Sequence, residues 1–363
     1  MKNEKRRPAY HPGSYVEDAI DALGMTRHEC AARLDMSDKD LSELIGGDRG
    51  LNAETARKLG AFFGTKPDVW VRLQNQYEMY VAEQAEEYGI ESDRPFLDML
   101  DYGYFRDLGI VPEAKGWKDR ILRLREALRV VRLETLAKHD LLTLCRQSTP
   151  KEGPETIVPR NAWITIGLDL AARKVTPAFE SAKLDEATRA LRRLTVADDG
   201  VDHAAIEAIL SPCGIAYVPL PDLAKANVNG VVKWIAGDRP SLLVNDRGKY
   251  MDIFWFSLFH ELGHVRQMKR RVMIVDGQDE ELERDADAFA RDTLIPATAY
   301  AEFLRAGSIS EAAVVAFADA IGIAPGIVVG RLQKEGRLPY SHLNGLRRKT
   351  SWKSSEPRTP MND

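Results

Sequence analysis

The stretch Trp255-Phe256-Ser257-Leu258-Phe259-His260-Glu261-Leu262-Gly263-His264 decides how the rest of the chain is read. Positions four apart on a helix are turned by only about 40° from each other, so His260 and His264 project side by side. Two neutral imidazoles at that spacing can hold one Zn²⁺, while Glu261 lies beside them without being a ligand. The chemistry open to Glu261 is to take a proton from a water that the metal has made acidic. Two chance histidines on a surface helix would give the same pattern. Phe254, Trp255, Phe256, Leu258 and Phe259, however, are apolar nearly all round the helix, which suits a buried element. Two histidines and a carboxylate inside such a helix are costly without a partner, and a metal is the natural one.

Two histidines leave a catalytic zinc one protein ligand short, since such sites use three and keep a position for water. The run Asp279-Glu280-Glu281-Leu282-Glu283-Arg284-Asp285-Ala286-Asp287-Ala288-Phe289-Ala290 offers six carboxylates. Leu282, Ala286, Phe289 and Ala290 make its apolar face, and Glu283 and Asp287 run along the edge of that face. Glu281 and Asp285 lie on a stripe that continues to Asp292 and reads as solvated. The spacing therefore favours Glu283 as third ligand, with Glu281 and Asp285 as alternatives. Asp287, one turn on, can accept the second ring N–H of a ligating histidine. An exposed acidic helix without any metal is the competing reading.

Outward from this centre, the chain of 363 residues is long enough for two or three domains. Its 44% hydrophobic and 29% charged residues are those of an ordinary soluble protein. No apolar run approaches the roughly 20 residues that span a membrane. The basic start Met1-Lys2-Asn3-Glu4-Lys5-Arg6-Arg7-Pro8 lacks the apolar segment of a secretory signal. Cys30, Cys145 and Cys213 form no CxxC pair and read as small core residues in a reducing, cytoplasmic compartment. The net charge of −4 gives no global argument for nucleic acid. The local runs Lys2 to Arg7 and Arg347-Arg348-Lys349 read as solvated tails.

Residues 14–74 read as five short helices. Thr26 caps the second, with Glu29 completing a capping box; Ser37 caps the third, Asn52 the fourth, and Pro67 opens the fifth. The pair joined at Asp35-Met36-Ser37 has the helix-turn-helix arrangement. Residues 75–195 read as a helical connector without a catalytic pattern, including helices over Arg120 to Leu136, Trp163 to Ala172 and Phe179 to Leu194. From 196 the pattern turns to mixed α and β, with strands at Ile215 to Leu220, Gly230 to Ala236 and Ser241 to Asn245 feeding the zinc-motif helix. The expected organisation is α+β: tail 1–13, all-α domain 14–74, connector 75–195, mixed domain 196–345, tail 346–363.

Several motifs in register give residues 14–74 a resemblance. Leu23-Gly24-Met25-Thr26, Ala31-Ala32-Arg33-Leu34, Leu41-Ser42-Glu43-Leu44-Ile45, Ala56-Arg57-Lys58-Leu59 and Trp70-Val71-Arg72-Leu73-Gln74 resemble the HigA-type antitoxins of the XRE helix-turn-helix family. That family reads the DNA major groove with its third helix, which implies Ser37, Lys39 and Ser42 as DNA-contacting residues here. The charge departs from that role. Between Ser37 and Ile45, Asp38, Asp40 and Glu43 stand against Lys39 alone; over 14–74 there are 8 Lys and Arg against 11 Asp and Glu. Phosphate contacts need the opposite sign, so a dimerisation or protein-docking module is the competing reading.

Glu283-x-x-Ala286-Asp287-x-Phe289-Ala290 closing at Leu294-Ile295-Pro296 is similar to the second signature of the ImmA/IrrE-type metallopeptidases. The aromatic lead-in Phe254 to Phe259 and the run Ile323 to Gln333 fit the same family. The resemblance implies a zincin-like C-terminal domain and a zinc-dependent endopeptidase of narrow specificity acting in stress, phage or toxin–antitoxin control. Its partners would be a protein substrate or a cognate toxin or regulator, with operator DNA and a homodimer as further partners and no membrane. The alternative it allows is an antitoxin and repressor that neutralises a toxin by binding, with a structural or idle zinc site. For the oxyanion of a tetrahedral intermediate, Tyr340 and His342 are candidates only as the last polar cluster before the tail, where packing roles compete.

Overall fold

A computed structural model describes residues 9–138, 152–197, 200–235, 237–268, 274–275 and 280–350. It divides into two units, Met1–Ser92 and Asp93–Asp363. Cys145, His139, the run Lys2 to Arg7 and the first half of the expected loop, Thr149 to Lys151, lie outside the described residues, while Pro154 opens a helix.

The first unit holds α1 (Pro12–Ala22), α2 (Arg27–Arg33), α3 (Asp38–Gly46), α4 (Ala53–Phe63) and α5 (Pro67–Ser92). The starts follow the expected caps: Thr26 Oγ1 accepts from the Glu29 N–H, Ser37 Oγ from Asp40 and Asn52 Oδ1 from Thr55. Between α2 and α3 the chain turns through Asp35, a non-glycine residue at φ 50°. Val16, Ile20, Cys30, Leu34, Leu41, Leu44, Leu59 and Trp70 close the core of this bundle. The fifth helix is longer than the sequence domain 14–74 allowed, running on to Ser92.

The second unit opens with α6 (Arg94–Leu97), α7 (Tyr102–Asp107), α8 (Trp117–Leu128), a 3-10 turn at Leu133–Ala137, α9 (Pro154–Arg173), α10 (Ser181–Leu194) and α11 (His203–Leu210). The helix expected to run from Arg120 to Leu136 is broken. Arg129 takes φ 53° and caps α8, and Val131 is 80% exposed, off the core stripe where the spacing had placed it.

A sheet follows: β1 (Ala216–Pro219), β2 (Gly230–Ile235), β3 (Arg239–Val244) and the two-residue β4 (Ile274–Val275), in the order β1-β3-β2-β4. β1 runs parallel to β3, and β2 is antiparallel to both β3 and β4. Both faces are covered, which is why the strands read as continuous apolar runs. On one face lies α9: a Cβ on its Gly167 would fall 2.2 Å from Leu243 Cδ2, and Trp163 Nε1 donates to the Pro221 carbonyl at 2.9 Å. The expected connector 75–195 thus contributes a layer of the sheet's own packing. On the other face Tyr217, Val232, Leu242 and Val244 pack with Phe254, Trp255 and Leu258 of α12 (Met251–Gln267).

The chain ends through α13 (Glu280–Leu294), α14 (Ala297–Arg305), α15 (Glu311–Ile321) and α16 (Pro325–Lys334). Among the described residues no single helix is long and apolar enough to cross a membrane. The bent pair α15 and α16 has the length and composition, but buries Val314, Ala318, Val328, Val329 and Leu332 in the core.

The basic segment at 347–349 is not a solvated tail. Arg347 Nη2 meets Asp252 Oδ2 at 2.8 Å, its guanidinium also reaches Gln333 at 3.0 Å, and it lies 4.4 Å over the Tyr250 ring. The Met251 N–H donates to the Arg348 carbonyl and Tyr250 pairs with Lys349. The buried Asp252, left in the first turn of α12, requires that cation.

Candidate metal centre and helix-turn-helix face

α12 carries His260, Glu261 and His264 at 7%, 1% and 1% exposure. The helix is buried nearly all round, as the apolar lead-in required, although Phe256 is 39% exposed. α13 crosses it at a point made of small residues: a Cβ on Gly263 would lie 2.9 Å from Ala286 Cα. That close crossing sets Glu283, one turn before Ala286, against both histidines. His260 Nε2 is 3.1 Å from Glu283 Oε2, His264 Nε2 is 3.5 Å from Glu283 Oε1, and the two Nε2 atoms are 3.0 Å apart. One ligand atom from each residue lies within 4.8 Å of the others.

Asp287 stands one turn further on, its Oδ1 at 2.8 Å from His260 Nδ1. A carboxylate oxygen there accepts a hydrogen bond from the Nδ1–H, which keeps the ring proton on Nδ1 and leaves the Nε2 lone pair facing Glu283 and His264. Burial raises the affinity of the Glu283 carboxyl for its proton, but the imidazoles of His260 and His264 beside it outweigh burial and hold the pKa at about 2. Glu283 is thus an anion whose Oε1 is buried and accepts no hydrogen bond among the described residues. Two imidazoles and this carboxylate form a donor set suited to Zn²⁺ with one position left for water, so the residues fit the metal. Glu281 and Asp285 are exposed on α13, outside this grouping.

Glu261 projects to a different side of α12 and lies against the start of β2. A Cβ on Gly230 would fall 2.3 Å from Glu261 Oε1, so only glycine leaves room for that carboxylate. Tyr340 is 67% exposed and its carbonyl accepts from Asn344; the His342 carbonyl accepts from Gln333 at 2.9 Å. Gln333 bonds Arg347, which pairs with Asp252, so these two oxyanion candidates belong to the turn at the N-terminal end of α12. Asp252 precedes His260 by eight residues, roughly 12 Å of helix.

Sequence reasoning missed Gly230, Gly263 and Gln267. Gln267 Oε1 is 3.0 Å from His264 Nδ1, and its Nε2 donates to the Leu282 carbonyl at 2.7 Å. The i, i+3 spacing from His264 was the available signal.

In the first unit, Ser37, Lys39 and Ser42 are all exposed on α3. Ser37 Oγ is engaged in the cap and with Asp40 Oδ2 at 2.7 Å, and Lys39 faces Glu43 at 3.6 Å. The other cations are likewise paired: Arg27 with Glu17, Arg33 with Glu29, Arg49 with Asp40, Lys58 with Asp35 and Glu54, Arg72 with Asp68. Among the described residues of 14–74, Arg57 and Lys66 alone stand outside an ion pair.

No protein-family model matches the chain. An 87-residue stretch, 24% of the chain, is 33% identical to virulence-associated protein I of Dichelobacter nodosus and covers 79% of that protein. Over 74 residues the chain is 30% identical to the uncharacterized HTH-type transcriptional regulator YddM of Escherichia coli strain K12, covering 20% of this chain and 79% of that one. Among solved structures, an addiction module antidote protein of a HigA family from Coxiella burnetii is 28% identical over 24% of this chain and 96% of its own, with a TM-score of 0.23.

Proposed function

We propose a function for a chain whose N-terminal quarter belongs to the family of virulence-associated protein I and resembles the XRE/HigA-type antitoxin helix-turn-helix proteins. It is an antitoxin-type regulator whose second unit is a cytoplasmic zinc endopeptidase of narrow specificity, acting on a partner toxin or regulator. The observation that carries the reading is the convergence of His260, His264 and Glu283 on one point, with Glu261 buried on the same helix. Zn²⁺ held by those three residues would supply a Lewis acid for a scissile carbonyl and an acidic water. Asp287 keeps His260 in the tautomer that can ligate. Glu261 takes the proton from the attacking water and returns it to the leaving amine nitrogen.

A second reading keeps the regulator and drops the cleavage. The match covers 79% of virulence-associated protein I, so such a unit there stands almost alone. In that case the chain neutralises a toxin by binding it, and the metal site serves stability.

Glu261→Gln separates the two. It is nearly isosteric and keeps the three metal-binding side chains, but cannot act as base. Co-expression with the protein encoded beside it, followed by gel analysis, should show the partner cut by wild type and left whole by the variant. The rate loss should be about 10²–10⁴-fold. Equal protection of cells by both forms, with nothing cut, would reject the peptidase and leave the binding antitoxin.

A further inference from the structure

We infer that Gln267 is a positioning residue of the metal centre, holding His264 in its ligating tautomer and tying it to the helix that carries Glu283. The inference rests on the zinc reading above. Its support is a chain of hydrogen bonds with one consistent direction. The Leu282 carbonyl can only accept, so the Gln267 group facing it at 2.7 Å is the NH₂. The amide oxygen therefore faces His264 Nδ1, at 3.0 Å, and can only accept there. The ring proton of His264 accordingly sits on Nδ1, and its Nε2 lone pair points at His260 and Glu283.

The same amide fixes a distance. Leu282 immediately precedes Glu283, so one half-buried side chain spans from a histidine on α12 to the backbone beside the carboxylate on α13. His260 has its own acceptor in Asp287, a side chain that is 55% exposed. Without Gln267, His264 is free to move its proton to Nε2, and the first turn of α13 loses a tie to α12.

The test measures zinc affinity by competition with a chromogenic chelator, and the visible spectrum of the Co²⁺ form, for full-length wild type, Gln267→Leu and Gln267→Glu. Gln267→Leu, close in size and without hydrogen bonds, should bind zinc about 10–100-fold more weakly and shift the Co²⁺ bands. Gln267→Glu keeps the acceptor for His264 Nδ1–H and loses the donor to Leu282, so its affinity should fall between the two. Thermal melting of the metal-free proteins tells a general packing defect from a change at the site, because only the latter alters the Co²⁺ spectrum. Wild-type affinity and spectrum in Gln267→Leu would overturn the assignment while leaving the zinc reading intact, as would a Gln267→Glu no better than Gln267→Leu. Wild type that takes up no zinc would overturn the reading itself, and this assignment with it.

Discussion

A Cβ built on Gly263 would lie 2.9 Å from the Cα of Ala286 and 3.1 Å from its Cβ, so α12 and α13 cross with their backbones nearly touching. The candidate metal site depends on that crossing, since Glu283 reaches the two histidines only because α13 comes this close. In an open helix Gly→Ala would stabilise by about 1 kcal/mol through helix propensity. Here the obstacle is backbone and cannot rotate away. Gly263→Ala should therefore cost stability, on the order of 1–3 kcal/mol, and should weaken zinc binding as Glu283 is displaced. A raised melting temperature in Gly263→Ala would mean the helices tolerate more separation than the crossing implies.

The choice among the acidic residues of α13 is open to direct measurement. Purified protein should carry about one zinc per chain, and His260→Ala or Glu283→Ala should remove it and lower stability. Glu281→Ala and Asp285→Ala, at exposed positions, should keep it. Removing Asp287 leaves the three ligands in place but takes away the acceptor for His260 Nδ1–H, so affinity should drop about 10–100-fold without vanishing. Elemental analysis after dialysis against a weak chelator distinguishes these outcomes, and full occupancy in Glu283→Ala would send the third ligand elsewhere.

Much of this arrangement was legible because it is local. The spacing of His260 and His264 fixes their common face, and the apolar stripe of α13 separates Glu283 and Asp287 from Glu281 and Asp285. The bundle's starts were readable for the same reason, since Thr26, Ser37 and Asn52 each cap within three residues. What escaped depends on residues far apart in the chain. Nothing near Gly230 in sequence announces that Glu261 will lie against it, and Arg347 meets Asp252 across 95 positions. Arg129 shows a third limit: Arg is a good helix former, yet here it ends α8 in a left-handed conformation, and propensity alone gave no stop.

His203 gives the fold a predictable response to acid. Burial lowers its pKa to about 4, against weaker opposing pulls from Asp202 and Asp246, and its Nδ1 lies 2.8 Å from the Tyr217 hydroxyl. An unfolded histidine titrates near 6.5, so between about pH 6.5 and 4 the unfolded chain binds the extra proton. Stability should accordingly be unaffected by this group above about 6.5 and fall as pH drops through that window, by at most about 3 kcal/mol. His203→Gln can still accept from Tyr217 but does not titrate. Urea midpoints for the two proteins, compared from pH 7.5 to 4.5, should converge or cross as pH falls. Parallel curves would show that His203 protonates in the folded chain as easily as in the unfolded one.

The helix-turn-helix unit has the shape for DNA without the charge for it. Its exposed α3 presents Asp38, Asp40 and Glu43, and six of the cations in 14–74 already face carboxylates. Most of those pairs are exposed and weak, so a phosphate could replace the carboxylate, but the displaced acid would then lie beside the backbone of the nucleic acid. Lys58, whose side chain is 19% exposed, is held more firmly by Asp35. That leaves Arg57 and Lys66 as the described cations outside ion pairs. With Z near two per protomer, log K should fall against log salt with a slope of only about −2, far shallower than for an operator-binding protein making many phosphate contacts. Specific binding should be weak or absent at physiological salt in a gel-shift or fluorescence-anisotropy titration. Replacing Asp38 and Glu43 with Lys should then raise affinity for any duplex, because it adds phosphate contacts and no base readout. Tight footprinting of an inverted repeat by the natural chain, lost on changing Ser37 or Lys39, would sink this prediction and make the unit a sequence-reading one.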